Sequence, residues 1–300
     1  GLNVAPFDAL KLAALALVAD ARTGLAQLQD ALTQAGYGGS SAERRTRIEE
    51  LKAEWDGIVE DILRVKEPHD LAQSEVIGMV NAVFGGGATV INAAGSMPGD
   101  LVKLWRASDA RSYHLEYGYS CMGYEIPAGL GVKLAEPERE VVVMVGDGSY
   151  LMMNSELVTA VAEGLDLTVV LVDNGGYQSI HGLQRSLGSP QFGNELRHRD
   201  EAGRLEGDYV KLDFAAHARA MGANAAHVMT ESDLRAALEA ARSAKGVQVV
   251  VVRVNPEKRV GGYAFGGWWD TPVAEVSAQK AVLEARRQYE KDKKKQVLVR

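Results

Sequence analysis

Two continuous apolar runs, each followed at once by a short polar turn with glycines, constrain the fold of this chain most. The runs are Val141–Val145 and Thr168–Val172, and the turns are residues 146–149 and 173–176. Apolar runs without alternation are typical of parallel strands that helices cover on both faces. Because a helical pattern over Asn154–Gly164 lies between the two runs, the three segments predict a βαβ unit.

Other segments extend this pattern on both sides of the unit. Apolar runs over 88–93 and 247–254 predict two further strands, and 111–115 predicts a weaker one. Residues suited to the start of a helix open several helical patterns, namely Ser74, Pro127, Asp213 and Thr230. The sequence therefore predicts an α/β fold in which a parallel sheet carries helices on both faces.

The first part of the chain predicts a smaller unit. Ala14–Ala19 is a candidate strand, Asp20 can cap the helix that follows, and Gly36 ends that helix. One strand and one helix cannot form a core of their own, so we expect this segment to pack against another domain. Residues 36–41 read as a linker, and Ala42–Ile62 predicts a long amphipathic helix for packing or for contact within an oligomer.

The segment after the second polar turn combines a helical stretch with a long loop. The helical stretch begins after Tyr177 and carries His181 and Gln184. Leu187–Leu212 is then polar and has little periodicity, and a loop of this length inside a compact domain is usually functional or mobile.

The bulk properties exclude some classes of partner. The net charge is −7 and the sequence pI is about 5.5, so nucleic acid is not expected as a partner. No run of about 18 apolar residues occurs, so we expect no membrane span. Cys121 is the single cysteine, which excludes an intrachain disulfide and favours a reducing, cytoplasmic location. The first residues read as the inside of a strand, and this raises the hypothesis that the chain is a piece of a longer one.

The two polar turns carry candidate metal ligands. Asp147 follows the first strand and Asn174 follows the next parallel strand, so both are expected at the same edge of the sheet. A carboxylate, an amide oxygen and a carbonyl of the following glycines are hard oxygen ligands that suit Mg²⁺ and leave room for phosphate oxygens. Taken alone, the Gly-Asp-Gly turn is more often a tight connection, and only the second turn favours the ligand site.

These two turns resemble the motif of enzymes that depend on thiamine diphosphate. The resemblance rests on residues 146–149, on the spacing to Asn174, and on Gly176 two residues later. Residues 122–131 also resemble the segment that precedes this motif in relatives of acetolactate synthase and benzoylformate decarboxylase. The resemblance covers about Ser74–Val254 and implies the diphosphate-binding (PP) domain of such an enzyme.

The resemblance implies a set of metal ligands and a set of cofactor contacts. The side chains of Asp147 and Asn174, with the carbonyl of Gly176, would bind Mg²⁺. The residues that would hold thiamine diphosphate are Gly95, Ser96, Ser120, Met122, Gly146, Asp147, Gly148, Ser149, Asn174 and Gly176.

Within this set the resemblance implies distinct roles. Backbone groups of Gly148 and Ser149 would hold the diphosphate together with the Gly95-Ser96 turn. The Ser120 carbonyl would accept a hydrogen bond from the aminopyrimidine, and Met122 would force the cofactor into its bent shape. Ordinary core packing is the alternative for Met122.

One nearby position departs from the family pattern. Glu125 stands where relatives commonly have a small residue. Its carboxylate could contact substrate or could favour the N-terminus of a helix, and the sequence leaves both roles open.

Within this family, residues 116–125 and 173–184 are most similar to the hydrolases of inositol catabolism. The similarity implies that water cleaves the bond between two carbonyl carbons of 3D-(3,5/4)-trihydroxycyclohexane-1,2-dione. Such a reaction needs a proton donor or a group that positions water, for which His181 is the candidate and His114 a lesser one. A structural role is the open alternative for His181.

The resemblance also divides the chain into parts. Residues 1–40 resemble the end of the family's central domain and a linker, and 41–260 resemble the diphosphate-binding domain. Residues 261–300 form a C-terminal extension with a polar helix from about Ala274. Enzymes of this kind activate the pyrimidine with a glutamate from an N-terminal domain, usually of a partner subunit, and no segment here resembles that domain. We therefore expect a homo-oligomer, and we expect the isolated chain to be inactive.

Two other functions stay open at this point. An acetolactate-synthase-like carboligase or a 2-oxo-acid decarboxylase would use the same cofactor on a different substrate. A non-catalytic nucleotide-binding or assembly subunit is the alternative of another class. No Gly-x-Gly-x-x-Gly follows the first strand of a βα unit, which argues against an NAD-binding domain.

Overall fold

The computed structural model describes residues 1–11, 13–64, 71–85, 87–116, 118–258, 260 and 271–294. The described residues divide into two compact units, one of residues 1–57, 271–273 and 286–294, and one of residues 58–260 and 274–285. In the described ranges, every helix is too short or too polar to cross a membrane. The domain boundaries expected near 40 and 260 stay a prediction, and residues 261–270 of the expected C-terminal extension lie outside the described residues.

The first unit contains a minimal parallel pair of strands. Strand β1 (Leu2–Asn3) pairs with β2 (Leu17–Val18), so the strand expected over Ala14–Ala19 is only two residues long. Asp20 caps the next helix as expected, because its Oδ1 accepts a hydrogen bond from the Thr23 N–H at 3.0 Å. The helices of this part are α1 (Phe7–Lys11), α2 (Ala21–Gln34) and the first part of α3 (Ala42–Arg64). No residue of α2 is buried, which agrees with a segment that lacks a core of its own.

The second unit is built on a six-stranded sheet in which all neighbouring strands are parallel. Its strands are β3 (Thr89–Asn92), β4 (Tyr113–Leu115), β5 (Val141–Gly146), β6 (Leu167–Asp173), β7 (Asn224–Val228) and β8 (Val247–Arg253). Their order across the sheet is β4-β3-β5-β6-β8-β7. The chain therefore leaves β3 toward one side of the sheet and β5 toward the other, and ligands of open α/β sheets bind at such a switch point.

Helices follow or separate these strands, as the α/β pattern predicts. They are α4 (Gln73–Phe84), α5 (Met97–Leu104), α6 (Glu125–Ala135), α7 (Asp147–Tyr150), α8 (Glu156–Ala162), α9 (Gln178–Ser186), α10 (Phe214–Ala220), α11 (Glu231–Ser243) and α12 (Lys280–Lys293). Asp213 and Thr230 cap α10 and α11 as expected, each through a side-chain oxygen that accepts a backbone N–H.

Three local expectations differ from the structure. Ser74 does not cap α4; the helix begins one residue earlier, and the Glu75 carboxylate accepts the Ala72 N–H at 2.7 Å instead. Strand β7 was not expected, since its sequence has no apolar run. Helix α12 begins at Lys280 rather than near Ala274.

The core of the second unit explains why the two apolar runs form adjacent strands. Residues Val141–Val145 of β5 are buried, as are Leu167–Val172 of β6. The parallel register places Gly146 opposite Val172, so the residues that follow both strands leave the sheet side by side. Burial of apolar strands on both faces thus brings the two polar turns together.

Candidate functional site

A cavity of about 290 Å³ lies where the turns after β3, β5 and β6 meet. Nine of the ten residues expected to hold cofactor line it: Gly95, Ser96, Ser120, Met122, Gly146, Gly148, Ser149, Asn174 and Gly176. The tenth, Asp147, is fully buried next to lining residues Gly146 and Gly148. The structure therefore brings together the ten residues that the resemblance assigns to the cofactor, and their cofactor contacts stay a prediction.

Asp147 combines deep burial with an unsatisfied oxygen. Its Oδ1 accepts a hydrogen bond from the Gly148 N–H at 2.8 Å, whereas its Oδ2 has no hydrogen-bond partner among the described residues. Burial, and then the nearby Asp173 carboxylate, raise the pKa of Asp147 to about 8. An anion in this environment is costly, and a bound cation would remove that cost.

The side-chain amide of Asn174 completes a candidate cation site. One of its two terminal atoms lies 3.1 Å from Asp147 Oδ1 and 2.8 Å from the Gly176 carbonyl oxygen. A nitrogen at that position donates two hydrogen bonds and satisfies both oxygens, whereas an oxygen there would make three acceptors converge, an arrangement that a bound cation would stabilise. Neighbouring ligands of an octahedral Mg²⁺ with bonds of about 2.0–2.1 Å lie about 3 Å apart, so these spacings fit a magnesium ion.

This donor set is mixed in character. In the part of the chain that the structure describes, no cluster of three or more His, Cys, Asp or Glu side chains could hold a metal. The candidate site instead combines one carboxylate, one amide and one backbone carbonyl. The second carboxylate of this edge, Asp173, is already paired, because Arg253 Nη1 donates to its Oδ1 at 2.8 Å.

The backbone of the second polar turn is fixed by the loop after α9. The Tyr177 N–H donates to the Asn194 carbonyl at 2.7 Å, and the Leu196 N–H donates to the Gly175 carbonyl at 2.9 Å. Gly176 has a φ of +135°, and a Cβ at this position would lie 2.6 Å from the Asn194 carbonyl oxygen. Only glycine can therefore place its carbonyl beside Asn174 in this turn.

A side-chain network strengthens the same attachment. The Glu195 carboxylate accepts hydrogen bonds from Arg197 Nε at 2.7 Å, from Gln178 Nε2 at 3.2 Å and from the Tyr209 hydroxyl. The Arg197 guanidinium lies 3.8 Å from the centre of the Tyr209 ring. Burial opposes ionisation of Glu195, but these hydrogen bonds hold its pKa below the ordinary value. Within the loop 187–212, residues 194–210 therefore support the second polar turn.

The first polar turn allows a close approach of the backbone to a ligand. Strand β5 runs directly into α7, and a Cβ on Gly148 would lie 2.8 Å from Cε1 of Tyr177. Gly95, in the turn after β3, also lines the cavity and has a φ of +93°. Next to it, Ser96 Oγ donates to Gln73 Oε1 at 3.1 Å, and Gln73 lines the cavity as well. Gln73 was not expected at the site, since no motif marks it.

Ser120 has a strained backbone that neighbouring groups stabilise. Its φ is +52°, a value that residues with a side chain seldom adopt. The N–H groups of Cys121 and Tyr119 donate to the Glu116 carboxylate at 2.7 and 2.9 Å. These backbone hydrogen bonds, that of Cys121 first, lower the pKa of Glu116. Glu116 thus fixes the turn in which Ser120 lines the cavity.

Glu125 does not line the cavity, and this position favours a structural role over the substrate contact that the sequence left open. It is fully buried at the start of α6. Its carboxylate accepts hydrogen bonds from the Ala94 N–H at 3.1 Å and from Ser149 Oγ at 2.8 Å. The Ser149 side chain therefore points to a protein partner, and its main chain is the part available to a ligand.

His181 lines a second cavity, of about 580 Å³, and is not among the residues that line the first. This second cavity also contains polar side chains of the loop after α9: Ser189, Gln191, Asn194, Glu195 and Arg197. His181 is buried, and Arg185 Nη2 lies 3.2 Å from its Nε2. A guanidinium can only donate, so Nε2 accepts and the ring hydrogen is on Nδ1. The catalytic role of His181 stays a prediction.

The lesser candidate, His114, is engaged elsewhere. Its Nε2 lies 2.7 Å from the Tyr124 hydroxyl, and the two rings stack with an interplanar angle of 8°. His114 lines neither of the two cavities described above. This arrangement favours a structural role for His114.

Comparison with known proteins places this site in a family context. Residues 93–252 match the family described as thiamine pyrophosphate enzyme, C-terminal TPP binding domain. The chain is 37% identical to a 3D-(3,5/4)-trihydroxycyclohexane-1,2-dione hydrolase of Clostridium tetani and 38% identical to one of Geobacillus thermodenitrificans. Each alignment covers 95% of this chain and 47% of the relative, so the chain spans about half the length of these curated relatives.

A solved structure shares the fold. It is the thiamine diphosphate-dependent 4-hydroxybenzoylformate decarboxylase of Rhodococcus jostii, with a TM-score of 0.54 and 23% sequence identity. The match covers 64% of this chain and 34% of that one. At this level of identity the likeness shows the fold alone.

Proposed function

This chain belongs to the thiamine pyrophosphate enzymes through their C-terminal TPP-binding domain, and on that premise we propose that it holds thiamine diphosphate and Mg²⁺ in the cavity at the switch point of the sheet. The convergence of Asp147, Asn174 and the Gly176 carbonyl is the observation that carries this proposal. The unsatisfied, buried Oδ2 of Asp147 fits a small hard cation, and so do the spacings near 3 Å between the Asn174 amide and the two oxygens, once the amide turns its oxygen toward them.

The residues around the cavity would share the binding of the cofactor. Main-chain groups of Gly148 and Ser149 would contact the diphosphate from one side, and the Gly95-Ser96 turn from the other. Met122 and Ser120 line the same cavity and would contact the organic part of the cofactor. When bound, thiamine diphosphate supplies a nucleophilic carbon that attacks a carbonyl carbon.

We further propose that the whole enzyme hydrolyses a carbon–carbon bond in a cyclic 1,2-dione, a ring opening in the degradation of myo-inositol. The similarity to two trihydroxycyclohexanedione hydrolases over 95% of this chain supports this substrate class. His181, buried with Nδ1 carrying the ring hydrogen, is the proposed group that donates a proton or positions water. Its polar cavity would then receive the hydroxyl-bearing part of the ring.

The proposed active site needs a second part. Because the chain spans about half of its curated relatives, an N-terminal pyrimidine-binding domain of the same or a partner chain is the proposed source of the activating glutamate. A homo-oligomer would bring that domain to the cavity. The cytoplasmic location stays a prediction of the same proposal.

Two measurements test the proposal in sequence. Calorimetric titration of the whole enzyme with thiamine diphosphate and Mg²⁺ should show binding, with NAD as the control ligand that should not bind. Product analysis of the whole enzyme should then show ring opening of the trihydroxy-dione. Turnover of pyruvate alone would instead identify a carboligase or decarboxylase, and absence of cofactor binding would favour a non-catalytic subunit.

A further inference from the structure

One buried carboxylate contacts two of the turns that surround the cavity. Glu125 Oε1 accepts the Ala94 N–H at 3.1 Å, and Ala94 directly precedes the Gly95-Ser96 turn. Glu125 Oε2 accepts the Ser149 hydroxyl at 2.8 Å, and Ser149 lies on α7 after Asp147. Two segments that follow different strands, β3 and β5, are therefore joined through a single side chain.

The same network reaches a third segment of the cavity. Ser149 Oγ accepts a hydrogen bond from the Gly123 N–H at 2.8 Å, and Gly123 follows Met122. Gly123 has a φ of +87°, and a Cβ there would lie 3.0 Å from the Cβ of Met153. This close approach restricts the position to glycine, so the hydrogen bond to Ser149 holds a segment with little freedom to adjust.

The carboxylate is placed where an anion is costly. Glu125 has no exposed surface, and burial raises its pKa. Both of its oxygens are nonetheless satisfied by donors from other segments, as a retained buried carboxylate requires. Glu125 itself does not line the cavity, whereas Ala94 and Ser149, its two partners, do.

We propose that Glu125 is a positioning residue. It holds the Gly95-Ser96 turn and the Gly148-Ser149 turn at the separation needed for the two turns to bind a diphosphate from both sides. This inference rests on the proposed function of the cavity. It assigns to Glu125 neither a substrate contact nor a proton transfer. It explains why a carboxylate occupies the first position of α6, beneath a cavity with which it makes no contact of its own.

The test compares the binding of two ligands to the same variants of the whole enzyme by calorimetric titration. The ligands are thiamine diphosphate and inorganic pyrophosphate, each with Mg²⁺, and the variants are Glu125→Ala, Glu125→Gln and Ser149→Ala. Loss of a group that orients binding groups typically weakens binding by about 10–100-fold. We expect Glu125→Ala to raise the Kd of both ligands within this range and by the same factor, because the network acts on the diphosphate.

A double-mutant cycle and a matched control sharpen the test. Glu125→Ala and Ser149→Ala remove the same hydrogen bond. The double variant should therefore bind each ligand nearly as tightly as the single variant with the higher Kd. Glu231→Gln changes a glutamate at the same first position of α11, on the exposed surface, and should leave both Kd values unchanged. Circular dichroism checks that each variant is folded.

The outcomes separate the two proposals. If the wild-type whole enzyme binds neither ligand, the proposed function fails. If the wild type binds and folded Glu125→Ala binds equally well, or if only thiamine diphosphate is affected, the positioning role of Glu125 is wrong. If Glu125→Ala does not fold, the same comparison of Kd values is made with the isosteric Glu125→Gln. Failure of both variants to fold would make Glu125 a folding residue and would also overturn the proposal.

Discussion

The side-chain amide of Asn174 lies 3.1 Å from Asp147 Oδ1, although the two residues follow different strands. The contact arises because β5 and β6 are parallel neighbours and end at the same edge of the sheet. A second oxygen, the Gly176 carbonyl, lies 2.8 Å from the same amide atom. Because Asp147 Oδ2 beside them is buried and unsatisfied, the proposed cation would add an interaction that the protein alone lacks, and that difference can be measured.

Asp147→Asn should have opposite effects on stability and on metal binding. The variant removes a buried carboxylate whose Oδ2 is unsatisfied. Without metal, its free energy of unfolding should therefore be about 1–3 kcal/mol higher than that of the wild type. It should also bind Mg²⁺ with thiamine diphosphate more than about 100-fold more weakly, since a direct ligand is lost. Thermal unfolding in a chelator and calorimetric titration measure the two effects. The control Asp173→Asn breaks the pair with Arg253 and should lower stability instead; a loss of stability in both variants would contradict the cation site.

Gly176→Ala should destabilise the second polar turn. A Cβ would lie 2.6 Å from the Asn194 carbonyl oxygen, and the φ of +135° is strained for alanine. Strain and steric overlap together should cost about 2–4 kcal/mol in free energy of unfolding. Gly246→Ala is the matched control, because its φ is +78° and no atom lies within 4 Å of the new Cβ. Denaturant unfolding should show a smaller loss there, and equal losses would show that steric overlap at Gly176 is unimportant.

Tyr209→Phe should weaken the hydrogen-bond network that supports the second polar turn, although Tyr209 does not line the cavity at the switch point. The change removes the hydroxyl that donates to Glu195 and should cost about 1 kcal/mol of stability. Glu195 also accepts a hydrogen bond from Gln178, which lies beside the second polar turn. The Kd of Mg²⁺ with thiamine diphosphate should therefore rise severalfold. The effect should be smaller in a Glu195→Gln background, where the acceptor has changed. Tyr119→Phe, on a side chain 91% exposed, is the control that should leave the Kd unchanged.

His181→Gln should separate turnover from cofactor binding. His181 lines the second cavity and not the first, so the Kd of the cofactor should stay within about threefold of the wild-type value. Loss of a general acid or base typically lowers kcat by about 100–10,000-fold, which steady-state assays of the whole enzyme would detect. The exposed His227 provides the control His227→Gln. Unchanged kcat in folded His181→Gln would leave only a structural role for this residue.

Asp166→Asn should lower stability in a pH-dependent way. The Lys245 ammonium at 2.8 Å and then the Gly246 N–H at 2.7 Å lower the pKa of Asp166 in the folded state. An acid with a lowered folded pKa contributes stability above its unfolded pKa of about 3.9 and loses it as pH falls through the folded value. After allowance for solvent screening, the variant should lose about 0.5–1 kcal/mol at pH 7. Thermal unfolding should show no difference at a pH below both values, and a constant difference would refute the assignment.

Local pattern was sufficient to predict most strands of the sheet, and the family resemblance was sufficient to predict nine of the residues that line the cavity. Strands β5, β6 and β8 are mostly apolar, and such strands are recognisable because both of their faces are covered. The same argument explains why β7 escaped notice. It is an edge strand whose residues are mostly exposed, so its sequence carries no apolar run, and only pairing with β8 makes it a strand.

The residues that support the site were not recognisable in the same way. Gln73, Glu195 and Tyr209 belong to segments far from the two turns in sequence, and no motif or spacing marks them. Glu125 could be noticed as a departure from a family pattern, but its partners Ala94 and Ser149 could not be identified from the sequence. Hydrogen bonds between distant segments depend on the packing of the whole sheet, and local composition does not encode them.

By itself, the sequence determined that Asp147 and Asn174 would meet, because two apolar parallel strands must end at a common edge. It also determined the glycines that let the backbone turn there. Only the tertiary structure decided which cavity His181 lines, which carboxylates are paired, and what Glu125 contacts. The physical reason is the distance along the sequence between the residues that interact. Strands and turns depend on neighbours in sequence. Burial, charge pairing and the separation of the two turns proposed to bind the diphosphate depend on residues that only folding brings together.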